Sequence, residues 1–90
     1  MVTRKKIVFH GLVQGVGFRY RAYHAANLTG ATGWAKNNYD DNTVIMEIQG
    51  TESQIDQVII AIEKSRYIRI ENMECKTIPV LPDERNFRIY

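Results

Sequence analysis

Residues 8–26 read Val8-Phe9-His10-Gly11-Leu12-Val13-Gln14-Gly15-Val16-Gly17-Phe18-Arg19-Tyr20-Arg21-Ala22-Tyr23-His24-Ala25-Ala26, and the hydrophobic period changes within this stretch. Upstream, residues 4–13 alternate, with Ile7 and Phe9 on one side and Val8 and Leu12 near the other. A period of two predicts a strand, here a well-buried one. From Tyr20 the period lengthens. Ala22, Ala25, Ala26 and Thr29 stand at i, i+3, i+4 and i+7, so a short helix follows, ended by Gly30. Between the two lies Gln14-Gly15-Val16-Gly17-Phe18-Arg19, a tight loop with two glycines.

Working outward from this strand–loop–helix unit, residues 32–37 predict a second strand. Residues 38–42 are dense in turn formers and predict a hairpin loop. The third strand alternates, with Val44, Met46 and Ile48 inward and Glu47 and Gln49 outward. A second helix is announced by a capping box, Thr51-x-x-Gln54, and by one apolar stripe of Ile55, Val58, Ile59 and Ile62. Residues 67–78 alternate again, but Ile68 and Ile70 are out of phase with Met73 and Cys75, which calls for a bulge near Glu71 or Asn72. Pro79 and Pro82 mark a loop, and residues 87–90 a terminal strand. The order is β-α-β-β-α-β, with a break in the fourth strand around the prolines. It predicts an α+β, ferredoxin-like split βαβ sandwich, an antiparallel sheet with two helices on one face.

Ninety residues, 44% hydrophobic and 24% charged, make one ordinary globular domain over 1–90 with no room for a second core. A net charge of +2 is too small to argue for nucleic acid and fits a local site for an anionic substrate. The single cysteine, Cys75, forms no internal disulfide and no metal pair. No apolar run approaches the roughly 18–20 residues of a membrane span, and the start lacks a signal-peptide core. The expectation is a reduced, cytoplasmic, soluble protein that acts as a monomer.

A glycine-rich loop leading into a helix N-terminus aims several backbone N–H groups at one spot, and the helix dipole adds positive potential there. Gly15 and Gly17 let the backbone adopt positive φ and approach a ligand closely. Arg19 brings a planar fork of donors suited to phosphoryl oxygens. The stretch is neither a dinucleotide fingerprint, since Tyr20 replaces the third glycine, nor a Walker loop, since no Gly-Lys-Ser/Thr follows. Two readings stand on this chemistry alone: an anion site, or a plain glycine turn with Arg19 as a solvated helix-end residue.

Gly11-Leu12-Val13-Gln14-Gly15-Val16-Gly17-Phe18-Arg19 resembles the acylphosphatase signature, glycine-x-valine-glutamine-glycine-valine-x-phenylalanine-arginine, at every defined position. Gly33-Trp34-Ala35-Lys36-Asn37 is similar to that family's second motif, and the Phe87-x-Ile89 ending is similar as well. The resemblance covers essentially the whole chain. It implies that Arg19 and the amides of Gly15, Val16, Gly17, Phe18 and Arg19 bind the phosphate, and that Asn37 orients the attacking water. It further implies cleavage of a small-molecule acyl phosphate to a carboxylate and inorganic phosphate, without a metal or organic cofactor. The chain departs from the family pattern after Asn37, where the hairpin lacks its glycine and is one residue longer. Asn42 is expected to take the positive φ in its place. Asn38 is the alternative to Asn37 if the register slips by one; the spacing from Trp34 favours Asn37.

Other side chains compete poorly for chemistry. His10 reads as a strand residue beside the core, His24 as an exposed helix residue, and Asp40 and Asp41 as turn formers. Trp34 and the five tyrosines read mainly as core packing and aromatic edges, Cys75 as a small buried apolar residue, and Lys36 as a solvated strand residue. A heavy-metal-binding ferredoxin-like domain needs a close pair of cysteines, where this chain has only Cys75, and two further rival functions stand beside it. One is a domain that binds carbamoyl phosphate or another anion without turnover; the presence of both Arg19 and Asn37 in a 90-residue chain favours a free-standing enzyme. The other is an RNA-binding ferredoxin-like domain, which needs aromatic residues on a basic sheet face that Glu47 and Gln49 do not supply.

Overall fold

The computed structural model describes all residues, Met1–Tyr90. The elements run β1 (Thr3–Leu12), α1 (Phe18–Thr29), β2 (Thr32–Asn38), β3 (Thr43–Gly50), α2 (Glu52–Glu63), β4 (Arg69–Ile78) and β5 (Phe87–Ile89). The sheet order is β4-β1-β3-β2-β5. The first four strands pair antiparallel throughout, and both helices lie on one face, the split βαβ arrangement expected. The break at the prolines has a topological consequence: it frees the last residues to cross to the far edge, where β5 pairs parallel to β2.

One apolar cluster holds the layers together. Ile7 and Phe9 of β1, Val44, Met46 and Ile48 of β3, and Ala35 of β2 meet Phe18, Ala22 and Ala26 of α1 and Ile55, Val58 and Ile62 of α2. The small alanines on α1 allow a close approach to the sheet, which the Phe9–Phe18 ring contact at 4.7 Å exploits. The Thr51–Gln54 capping box is formed in both directions, and Gly30 closes α1 in the left-handed conformation.

The bulge falls where the phase problem required it. His10 pairs with Asn72 and Gly11 with Ile70, so Glu71 has no partner, and Ile70, Met73 and Cys75 share the helix-side face. Three expectations are corrected. Apart from Arg4 at its start, only one face of β1 is buried, and Leu12 is exposed. Cys75 is exposed, because β4 is an edge strand and the helices pack over β2, β3 and β5. Tyr20, Tyr39, Tyr67 and Tyr90 are exposed as well; the aromatic core consists of Phe9, Phe18 and Phe87.

The opposite face is open to solvent except at one end. There the segment between β4 and β5 folds back over Arg4, which is only 1% exposed. Arg4 forks onto Glu84 (Nη1 to Oε1 2.7 Å, Nη2 to Oε2 3.2 Å) and bonds Glu47 (Nε to Oε1 3.0 Å). Burial works against its charge, but the hydrogen bonds to Glu84 and Glu47 outweigh that and hold its pKa above the usual arginine value. Gln49 points outward as expected yet is buried. Its Nε2 donates to the Leu81 carbonyl (2.9 Å) and its Oε1 accepts from the Leu81 amide (2.8 Å). Arg4 lies opposite Gln49, whereas Phe9 lies opposite Val44. The network therefore closes the end of the sheet remote from the glycine loop that follows Leu12.

Candidate functional site

The loop between β1 and α1 is shaped by its glycines. Gly15 has φ 71° and Gly17 φ 79°, both left-handed, and Gly17 is the N-terminal cap of α1 without contributing any side chain to it. Such conformations turn successive N–H groups to one side. None of the backbone N–H groups of residues 15–19 donates to a protein acceptor; the first intrahelical bond runs from the Arg21 amide to the Gly17 carbonyl at 3.0 Å. The orphan donors of the helix and those of the loop thus lie at one helix N-terminus.

Arg19 stands in the first turn of α1, half-buried, and its Nη1 donates to the main-chain oxygen of Tyr90 at 2.7 Å. Tyr90 is itself held by its amide, which donates to the Ala35 carbonyl at 2.9 Å, and its ring packs edge-on against Trp34. The fifth strand therefore supplies a support for the guanidinium. The element order alone carries no sign of that support, because it depends on which edge β5 joins.

Asn37 lies near the end of β2 on the helix-side face, opposite Val44 and 8% exposed. Asn38 alternates to the other face, and its Oδ1 accepts from the Asp40 amide at 3.2 Å, so the register keeps Asn37 on the side of α1. The Asn37 Nδ2 donates to the Tyr39 hydroxyl at 3.2 Å. Its Oδ1 is the one buried side-chain polar atom in the molecule without a hydrogen-bond partner. An acceptor left bare under cover is costly unless something is to bind there.

The longer hairpin closes as expected through Asn42, at φ 59°. Asp41 Oδ1 accepts from the Thr43 amide at 3.3 Å and from its hydroxyl at 2.6 Å, which makes Asp41 a turn former and not a catalytic acid. Gln14 joins the two motifs: its Nε2 donates to the carbonyls of Asn38 and Thr43, both at 2.9 Å. The neck of the hairpin is thereby clamped to the start of the glycine loop. Reading residue by residue assigned Gln14 no such role, although a polar side chain inside a glycine loop is the signal that finds it.

The other residues weighed for chemistry lie elsewhere. His24 is exposed on α1, Lys36 is exposed on the open face, and His10 pairs with Glu74 at the β4 edge. A groove of about 570 Å³ runs between Trp34, residues 81–86 and Tyr90, and none of residues 14–19 lines it. A phosphoryl group grasped by main-chain amides at a helix end does not need a deep cavity.

Comparisons with known proteins agree on the family. The family model described as Acylphosphatase matches residues 5–89. The chain belongs to the acylphosphatase family. As a member it is a hydrolase, and hydrolysis of acyl phosphates is the family's activity. It is 44% identical over 89 residues to the Acylphosphatase of Geobacillus thermodenitrificans (strain NG80-2), covering 98% of this chain and 94% of the relative. The crystal structure of acylphosphatase from Bacillus subtilis superposes with a TM-score of 0.86 at 28% identity, covering 100% of this chain and 99% of that one. The same fold occurs inside a larger protein: HypF of T. kodakarensis matches with a TM-score of 0.80 at 30% identity, over 97% of this chain but 12% of that one.

Proposed function

We propose that the protein hydrolyses small acyl phosphates on the residues assembled at the start of α1. The amides of Gly15, Val16, Gly17, Phe18 and Arg19, together with the Arg19 guanidinium, hold the phosphoryl oxygens. The Asn37 Oδ1 accepts a hydrogen bond from the attacking water and turns its lone pair toward phosphorus. The observation that carries this reading is a complementary pair: five N–H groups without protein acceptors, and one buried acceptor without a donor, clamped together by Gln14.

The chemistry suits such modest groups. Water attacks phosphorus, the bond from phosphorus to the acyl oxygen breaks, and its electron pair leaves on a carboxylate. The conjugate acid of that leaving group has a pKa of about 4, so it departs unprotonated and no general acid is required. The water proton passes to solvent or to the phosphate formed. Phosphoryl transfer through a loose transition state relies on positioning and on stabilising charge at the equatorial oxygens, which amides and one guanidinium supply. An amide is too weak a base to remove a proton, and its contribution is orientation.

The protein works without metal or organic cofactor, as a cytoplasmic monomer folded as one unit over 1–90, with no nucleic-acid or membrane partner. No helix is long and apolar enough to cross a membrane. The outward positions of the interior strands carry Lys6, Val8, His10, Lys36, Ile45 and Glu47, and Trp34 is the one Phe, Tyr or Trp among them, short of the two or three rings of a base-stacking platform. The test is hydrolysis of benzoyl phosphate in excess EDTA, with inorganic phosphate as inhibitor. We expect undiminished turnover and competitive inhibition. Loss of activity in EDTA overturns the metal-free mechanism, and phosphate binding without turnover makes the protein an anion-binding module.

A further inference from the structure

The hairpin after Asn37 is where this chain departs from the family pattern, and it places a phenol against the amide. Tyr39 stands in the turn just past the end of β2 at Asn38 and reaches back to Asn37. It does so through its hydroxyl, which accepts from Asn37 Nδ2 at 3.2 Å. The rest of the Tyr39 side chain does little packing, since the residue is 71% exposed. The hairpin that carries it is fixed at several points: Asn42 at positive φ, Asp41 on Thr43, and Gln14 on the carbonyls of Asn38 and Thr43.

We infer that Tyr39 is a positioning residue for hydrolysis: its hydroxyl anchors the Asn37 amide so that Oδ1 stays turned to the attacking water. An asparagine amide rotates about its last torsion over a broad range, so at a strand end it stays mobile unless a hydrogen bond holds it. With Nδ2 engaged on Tyr39, the atom left unpartnered is Oδ1, the acceptor that a water donating one proton and attacking with a lone pair requires. A water held by a mobile amide samples unproductive orientations, and small displacements of a nucleophile carry large penalties in rate.

This inference rests on the proposed role of Asn37, and a double-mutant cycle separates the two. Tyr39→Phe keeps the ring and deletes only the hydroxyl; it is compared with Asn37→Ala and the double variant using benzoyl phosphate. Tyr39→Phe should lower kcat about 3- to 10-fold, the effect of one neutral hydrogen bond, and leave KM, phosphate inhibition and the thermal midpoint unchanged. In the Asn37→Ala background the same substitution should have no further effect, because the amide it acts through is gone. In a 15N-resolved NMR spectrum, Tyr39→Phe should shift the Asn37 side-chain NH2 pair while the backbone amides of residues 15–19 stay in place. A wild-type kcat for Tyr39→Phe overturns the inference, as does a loss that persists undiminished on top of Asn37→Ala. If Asn37→Ala alone retains full activity, the water-orienting role falls first and the Tyr39 role with it.

Discussion

Arg19 and Asn37 stand on different elements, and each is held by a partner that takes only part of its hydrogen-bonding capacity. Arg19 spends one N–H on the Tyr90 carbonyl and keeps the remainder of its fork for a ligand. Asn37 spends its Nδ2 on Tyr39 and keeps its Oδ1. Their removal should therefore produce different kinetic signatures. Arg19→Ala takes away charge from both ground and transition states, so turnover should fall at least about 10²-fold and phosphate inhibition should weaken with it. Asn37→Ala should lower kcat by a comparable factor with the phosphate inhibition constant unchanged, because the amide cradle is untouched. Steady-state kinetics with phosphate titrations on both variants distinguish these outcomes. If both variants lose phosphate affinity equally, Asn37 supports the fold of the site and does not act on water.

At the scale of elements, the unit that matters is β1, the glycine loop and α1. Gly17 combines two tasks there: it caps the helix and, at φ 79°, turns the chain so that the amides before and after it converge. A methyl group at this position would meet no neighbouring atom within 4 Å, so the obstacle to alanine is the backbone conformation alone. Gly17→Ala should fold, lose about 1–2 kcal/mol in urea denaturation, and weaken phosphate inhibition. Unaltered phosphate affinity in that variant would show that the loop amides are not the cradle. This unit was legible in the sequence because its signals are local: a change of period, two glycines, an arginine one turn into a helix. So was the bulge at Glu71, which an apolar phase mismatch betrays. What the local pattern misjudged was coverage. Cys75 sits on the helix-side face as its phase demanded, yet β4 lies beyond the reach of the helices and leaves it exposed. Alternation tells which way a side chain points, and only the packed layers tell whether anything is there to bury it.

For the molecule as a whole, the feature invisible in the sequence is Arg4. A lone arginine in a charged N-terminal strand reads as solvated, and its partners Glu47, Gln49 and Glu84 lie 43, 45 and 80 positions away. No short-range pattern links them. They meet because β1 and β3 are neighbours and because the chain between β4 and β5 must cross the sheet to reach its far edge. Arg4→Met strands Glu47 and Glu84 without their counter-charge, and should cost about 3 kcal/mol in denaturant unfolding. The kcat measured on the folded variant should match the wild type. A stability change under about 1 kcal/mol would mean that water replaces the guanidinium and that the segment over Arg4 is held by Gln49 alone.

The register separates that ion network from the glycine loop by the length of the sheet: from Gln49 to Val44 along β3 is five residues, about 17 Å. At such a distance the energetic effects of substitutions add without interfering. In evolutionary terms, this small enzyme has a reserve of stability at one pole that can be raised or drawn down while the chemistry at the other stays fixed. A change in the hairpin around Asn37 that weakens the fold can be offset at the Arg4 end of the sheet, about 17 Å away.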